Sequence, residues 1–298
     1  MIWMWPKSVD SQELRFGVEI EFVEGDPEGV ELLPGWVMSL DERQVDDAGE
    51  DSGAELKPPP MLWRDRELVR EMLQRLRATD ARANWSCGLH VHVGLQPWGQ
   101  DMVLPLVDAA LAHQDALRRL LRTAEDRMIY CPPVVPAMRS RYLTHPERSA
   151  LVHRGRPQSH RCGINVAAWF DFGTVEIRYP NGSLEYSEVM NTVELCLRFV
   201  AAVGAGRLRK SVGGEGRAAA PADATALAAA LGAPVDGYPP PAACGSRPRS
   251  PTAVLRPSVP GPVREGGCWN RNHNRSGALA PLRREGERYG CVLSDSAL

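Results

Sequence analysis

Lysine is nearly absent from this 298-residue chain: Lys7, Lys57 and Lys210 are the only three, and almost all positive charge is arginine. That bias reads as a GC-rich coding sequence and carries no functional information. The formal net charge of -2 gives no general attraction for a nucleic acid. No apolar run approaches the roughly 20 residues needed to span a bilayer. The opening MIWMWP has neither the basic flank nor the long apolar stretch of a signal peptide, so the expectation is a cytoplasmic protein without a membrane partner. The seven cysteines are scattered, odd in number and never in a C-x-x-C pair, which argues against a disulfide framework and a thiolate zinc cage. Cys87 and Cys162 lack a clear His-Asp arrangement, so a cysteine nucleophile is not expected. Neither a G-x-x-x-x-G-K-[ST] loop nor a kinase-type glycine loop is present. A nucleotide, if bound, is bound by another route.

With 43% hydrophobic and 24% charged residues, the composition is that of a globular protein long enough for one large domain or two small ones. Up to about residue 206, strand-like and helix-like segments alternate. Residues 15–23 alternate apolar and acidic side chains with period two, as do 85–95 with histidine in the polar places. Residues 62–78 form an amphipathic helix pattern, and 102–128 a longer one with Pro105 tolerable only in its first turn. Residues 25–40 are turn-rich and could hold a hairpin. Residues 131–157 read as loop. Strands are expected at 162–169 and 174–179, joined by a turn at Asp171-Phe172-Gly173, then a helix over 187–203 with Ser187 as its N-cap. This mixture predicts an α+β fold with a largely antiparallel sheet. A catalytic domain is expected over 1–206. Residues 207–298, rich in Pro, Gly, Arg and Ala, read as a largely disordered tail, with at most a short Ala-rich helix at 221–232.

The chemistry sits on three of these strands. Residues i and i+2 of a strand share a face, so Glu19 pairs with Glu21, His90 with His92, and Glu176 with Arg178. Valines, Ile20, Phe22, Leu89, Ile177 and Tyr179 occupy the opposite faces. One such pair is commonly just a solvated face; three on well-formed alternating strands are harder to dismiss. Carboxylates with one or two imidazoles suit divalent metals, magnesium or manganese where oxygen dominates and zinc where histidine dominates. An arginine beside them offers a fixed fork of donors to phosphate or carboxylate. Arg139, Arg141, Arg148, Arg154, Arg156 and Arg161 form a basic segment with His145, His153 and His160. It is either an exposed basic loop or a rim that grips an acidic substrate or nucleotide, with Arg141 and Arg161 the candidates. Asn165 precedes the Glu176 strand and could orient a ligand.

Residues 16–22 (FGVEIEF), 87–94 (CGLHVHVG) and 174–178 (TVEIR), with 51–59 (DSGAELKPP) between the first two, resemble in kind and order the motifs of the amidoligase family. That family is grouped with glutamine synthetase and glutamate–cysteine ligase among the carboxylate–amine ligases, and the resemblance covers about residues 15–206. It implies a curved antiparallel sheet with helices on its outer face and the active site on the concave one. It also implies ATP with magnesium, or manganese, as cofactors. Glu19, Glu21, Glu55, His90 and Glu176 would be metal ligands, His92 would lie near the phosphates, and Arg178 would hold the transferred phosphoryl group. Catalysis would then rest on Arg178, Glu176 and His92, with Asp51 a weaker candidate because an Asp before Ser-Gly also forms turns. The reaction implied is amide formation between a small-molecule or peptide carboxylate and an amine through an acyl phosphate. Two rivals stand beside it: a zinc hydrolase built on the His-x-His strand, and a binding module that has kept the fold without turnover.

Overall fold

The computed structural model describes residues 5–40, 44–155, 161–208 and 223–242. Its strands are β1 (Phe16–Phe22), β2 (Val37–Ser39), β3 (Gln44–Val45), β4 (Asp51–Ser52), β5 (Ala54–Lys57), β6 (Leu89–Gly94), β7 (Ile164–Asn165) and β8 (Thr174–Ile177). Its α-helices are α1 (Glu67–Arg77), α2 (Val103–Leu120), α3 (Pro136–Thr144), α4 (Ala168–Phe172), α5 (Tyr186–Gly204) and α6 (Ala224–Leu231). Six strands form one sheet in the order β2-β5-β1-β6-β8-β7, with every pairing antiparallel. β3 and β4 make a separate two-stranded ribbon. The fold is therefore mixed α and β around a largely antiparallel sheet.

The period-two pattern of β1 translates directly into burial: Phe16, Val18, Ile20 and Phe22 are buried while the residues between them are partly exposed. With Leu56, Leu89, Val91, Val93, Val175 and Ile177, they make the apolar face of the sheet. Each such side chain contributes about 1.5–3 kcal/mol relative to exposure. α5 covers this face, packing on β1 and β6, with α1 and α2 beside it. The opposite face carries the polar residues.

Several expectations are corrected. No local hairpin forms within 25–40; β2 pairs instead with β5. The helix expected over 102–128 ends at Leu120, where Arg122 turns left-handed (φ 53°) and its N–H and that of Thr123 close on the carbonyls of Arg119 and Arg118. Residues 131–157 are not all loop. Pro136 occupies the first turn of α3, where its missing N–H costs nothing, and only Met138 and Tyr142, four apart, are buried. So narrow an apolar stripe is easily overlooked in sequence. The strand expected over 162–169 is cut to β7, because α4 occupies 168–172 and Gly173 (φ 69°) ends it. α5 begins at Tyr186 rather than being capped by Ser187. Ser183 does that local work, accepting from the Glu185 N–H and donating to Glu188.

Beyond the boundary expected at 206, α6 folds against α2 and α5 with Leu227, Ala228 and Leu231 buried, and Tyr238 is buried nearby. α6 is the short Ala-rich helix read at 221–232; apart from 207–208 and 223–242, residues 207–298 lie outside the described residues. No helix among the described residues is long and apolar enough to cross a membrane.

Candidate metal and catalytic centre

Antiparallel register brings the polar pairs into rows, because directly opposed residues project from the same face. Glu19 lies opposite His90, Gly17 opposite His92, and Glu21 opposite Glu55. His92 in turn faces Glu176, which faces Asn165. Gly53 makes the Glu21–Glu55 register possible. It sits at φ 68°, and a Cβ there would overlap the Phe22 carbonyl, so the close turn from β4 into β5 requires glycine.

The side chains converge as the rows suggest. His90 Nδ1 is 2.8 Å from Glu19 Oε2 and 3.8 Å from both Glu55 Oε1 and Glu176 Oε1, while its Nε2 is 3.5 Å from Glu21 Oε1. His92 Nε2 lies 3.3 Å from Glu19 Oε1 and 4.0 Å from Glu176 Oε1. Thr174 Oγ1, 3.0 Å from His92 Nδ1, orients that ring. Glu176 accepts from Asn165 Nδ2 at 2.7 Å and from the Arg178 guanidinium. The Gly88 N–H donates to Glu21, and Lys57 Nζ pairs with Glu55 at 2.6 Å. Glu55 (3% exposed), His90 (2%) and Glu176 (5%) are buried.

Packing this many carboxylates together has an electrostatic cost that shows in their acidities. Burial, reinforced by the charges of Glu19 and Glu21, pushes Glu55 up to about 9 despite the Lys57 ammonium. Burial acts the same way on Glu19 but is outweighed by its contacts with His90 and His92, which hold it well below the usual carboxylate range. Glu176 is also lowered, burial again being overcome, here by the charges of Arg178 and His92. His92 is raised: desolvation is outweighed by Glu19 and Glu176.

Two sets of three side chains bring ligand atoms within 4.8 Å of one another: Glu19, Glu55 and His90, and Glu19, His92 and Glu176. Glu19 belongs to both. Two buried polar atoms of this region, Arg178 Nε and Asn165 Oδ1, have no hydrogen-bond partner among the described residues. Unpaired groups of this kind are uncommon in a finished interior and fit a site that takes charged ligands. The donor sets, each two carboxylates and one imidazole, match hard, oxygen-preferring cations better than zinc.

Glu19, Glu21, Glu55, His90, His92, Glu176, Arg178 and Asn165 are thus brought together. Asp51 is exposed on the separate ribbon. Arg141 is committed elsewhere, donating to the carbonyls of Ala150 (3.1 Å) and Val152 (2.8 Å). Arg161 is half-buried, close enough to Tyr130 for its charge to oppose the upward shift that burial imposes on the phenol. Of the other basic residues, Arg139 pairs with Asp108 and Arg148 with Asp171. Arg156 and His160 lie outside the described residues.

Arg127 escaped the sequence reading altogether. It is 2% exposed, and its guanidinium donates to the carbonyls of Cys87 (2.6 Å) and Arg178 (3.2 Å), clasping the start of β6 to the residue after β8. The one signal for it was Gly88, where a Cβ would overlap the guanidinium.

The free cysteines Cys87, Cys131, Cys162 and Cys196 are all buried. Burial pushes the Cys87 and Cys162 thiols up to about 12 and raises those of Cys131 and Cys196. At pH 8 none carries appreciable thiolate. Peptide mapping after native iodoacetamide treatment is expected to find all four unmodified; rapid labelling of Cys87 or Cys162 would reopen the case for a cysteine nucleophile.

An antiparallel sheet with carboxylates, imidazoles and an arginine on one face, and helices on the other, offers the side chains that a carboxylate-type metal site would need. A family model described as putative amidoligase enzyme matches residues 29–200, more than half of the chain, and the chain belongs to that family. β1, with Glu19 and Glu21, precedes the matched segment and joins the site through its pairing with β5 and β6. Membership points to a ligase-type enzyme. No curated protein matches the chain.

Proposed function

We propose that the protein is an ATP-dependent carboxylate–amine ligase on a glutamine-synthetase-like sheet, working with magnesium or manganese. One observation carries this reading: four glutamates and two histidines from four strands meet on one face, with Arg178 seated on Glu176. Glu19, Glu21, Glu55, His90 and Glu176 would hold the metal, which when bound offsets repulsion between an anionic acid and a triphosphate. A carboxylate oxygen of the acid attacks the terminal phosphorus of ATP. The bond to the bridging oxygen breaks, giving an acyl phosphate and ADP. The amine nitrogen then attacks the acyl carbon, phosphate leaves with the C–O bond pair, and the nitrogen loses a proton to give the amide.

The chain's own contribution is positioning and charge. Asn165 donates to Glu176, and Glu176 accepts from Arg178, so the guanidinium, its Nε unpaired among the described residues, would present donors to a transferring phosphoryl group. Thr174 holds the His92 ring at Nδ1, and Nε2, beside Glu19 and Glu176, would meet the phosphates. A ligase of this kind would work in the cytoplasm, where ATP is supplied. A zinc hydrolase accounts less well for donor sets with a single imidazole and for Arg178 on a ligand carboxylate. Small-molecule or peptide acids and amines are the substrates this chemistry takes.

The test is a screen of acids with ATP, magnesium and hydroxylamine, reading ADP release and hydroxamate from the trapped acyl phosphate. Glu176→Gln and Arg178→Ala are each expected to lower both products by about 10²-fold or more while circular dichroism is unchanged. Wild-type rates in both variants would remove the assignment.

A further inference from the structure

A cavity of about 290 Å³ opens on the polar face beside the cluster, reached by Glu19 and His92 but by none of Glu21, Glu55, His90, Glu176 or Arg178. Its floor is Gly17, which shares the polar face of β1 with Glu19 and Glu21 and lies opposite His92. The backbone there is ordinary strand, and a Cβ would meet nothing nearer than the His92 Cβ at 4.0 Å. The fold therefore does not require glycine at this position; glycine keeps the volume open. Val37, Pro58, Pro60 and Phe172 give the cavity carbon walls. Two cations line it. Lys57 is engaged by Glu55, whereas Arg15 is exposed and takes part in none of the ion pairs formed among the described residues.

We propose that this cavity receives the acid substrate, and that the acid is compact, with an apolar body and a second carboxylate held by Arg15. The inference rests on the ligase reading and adds the substrate class. The volume lies at the lower end of the roughly 300–1,000 Å³ typical of pockets for drug-sized ligands, which suits an amino-acid-sized molecule better than a whole nucleotide. A purine would also be poorly served. The neutral polar side chains in the lining are Ser39 and Thr174, and the Thr174 hydroxyl is already turned to His92. Burying a purine edge there would leave its donors and acceptors unmatched. An acid with one carboxylate at the Glu19–His92 end, where a bound cation would offset the charge of Glu19, methylenes against the prolines and Phe172, and the other carboxylate at Arg15 matches the charged and apolar parts of the lining.

The probes are glutarate and valerate, straight-chain acids of equal length with two carboxylates and one. Their binding to the full chain with magnesium is titrated by saturation-transfer NMR, and ATP binding is measured in parallel by calorimetry. Glutarate is expected to bind about tenfold tighter than valerate. Arg15→Ala should erase that preference while barely changing valerate. Gly17→Ala should weaken both acids and Gly17→Val should abolish them, with ATP affinity and the thermal melt unchanged in Gly17→Ala. Equal affinity for the two acids, or loss of ATP rather than acid in Gly17→Ala, overturns the inference. If the acids behave as expected but wild type does not bind ATP, the acid site stands and the ligase reading falls. ATP binding without acid binding sinks this inference alone.

Discussion

Glu19→Gln is expected to abolish tight divalent-metal binding at both candidate positions and to lower turnover by about 100-fold or more. Glu19 is the one side chain common to both ligand sets, Glu19–Glu55–His90 and Glu19–His92–Glu176. Disturbing a residue that merely supports a metal ligand typically costs about 10–100-fold in affinity; a ligand shared by two positions costs more. The amide also discards the negative charge while keeping the shape, so the effect isolates charge from packing. Glu55→Gln removes a carboxylate from one set only and should spare the other. Manganese titrations followed by electron paramagnetic resonance distinguish the two. Wild-type stoichiometry and affinity in Glu19→Gln would show that the cluster is not a metal site.

Arg127 carries the second large effect, on the fold rather than the chemistry. Arg127→Met should destabilise the protein by about 2–4 kcal/mol, because the carbonyl of Arg178 loses a buried donor, that of Cys87 keeps only the Gly182 N–H, and the methionine fills the space imperfectly. Arg127→Lys should recover little of this, since one ammonium cannot reproduce a planar fork spanning two acceptors. Gly88→Ala should act in the same direction by driving the guanidinium out of place. Urea unfolding measures all three. A lysine variant as stable as wild type would contradict the clasp.

These two residues mark what the sequence could and could not say. Glu19 was legible because β1 alternates with period two, which fixes its face before any partner is known. The same holds for His90, His92, Glu176 and Arg178. Which of them would meet was not legible: Glu19 opposite His90 and Glu21 opposite Glu55 depend on long-range register, in which a slip of one residue reverses every face. Arg127 could not be found by pattern, because it lies in a short 3-10 turn and acts on Cys87, 40 residues away, through backbone groups that carry no sequence signal. α3 was lost for a different reason: with only two buried side chains, it owes its place to Pro136 and to neighbouring packing more than to amphipathicity. In the basic segment, arginine-rich composition left an exposed loop and a ligand rim both open, and the Arg141 guanidinium serves the loop backbone. An arginine's charge is visible in sequence; whether a carbonyl or a ligand claims its donors is not.

The central claim is that the polar face binds a metal–nucleotide complex, and calorimetric titration of ATP with and without magnesium tests it most directly. Binding that requires magnesium and disappears in Glu19→Gln and Glu176→Gln is the predicted result. Absence of binding under both conditions, together with stoichiometric zinc in the purified protein, would contradict the ligase and favour a hydrolase on the same strands.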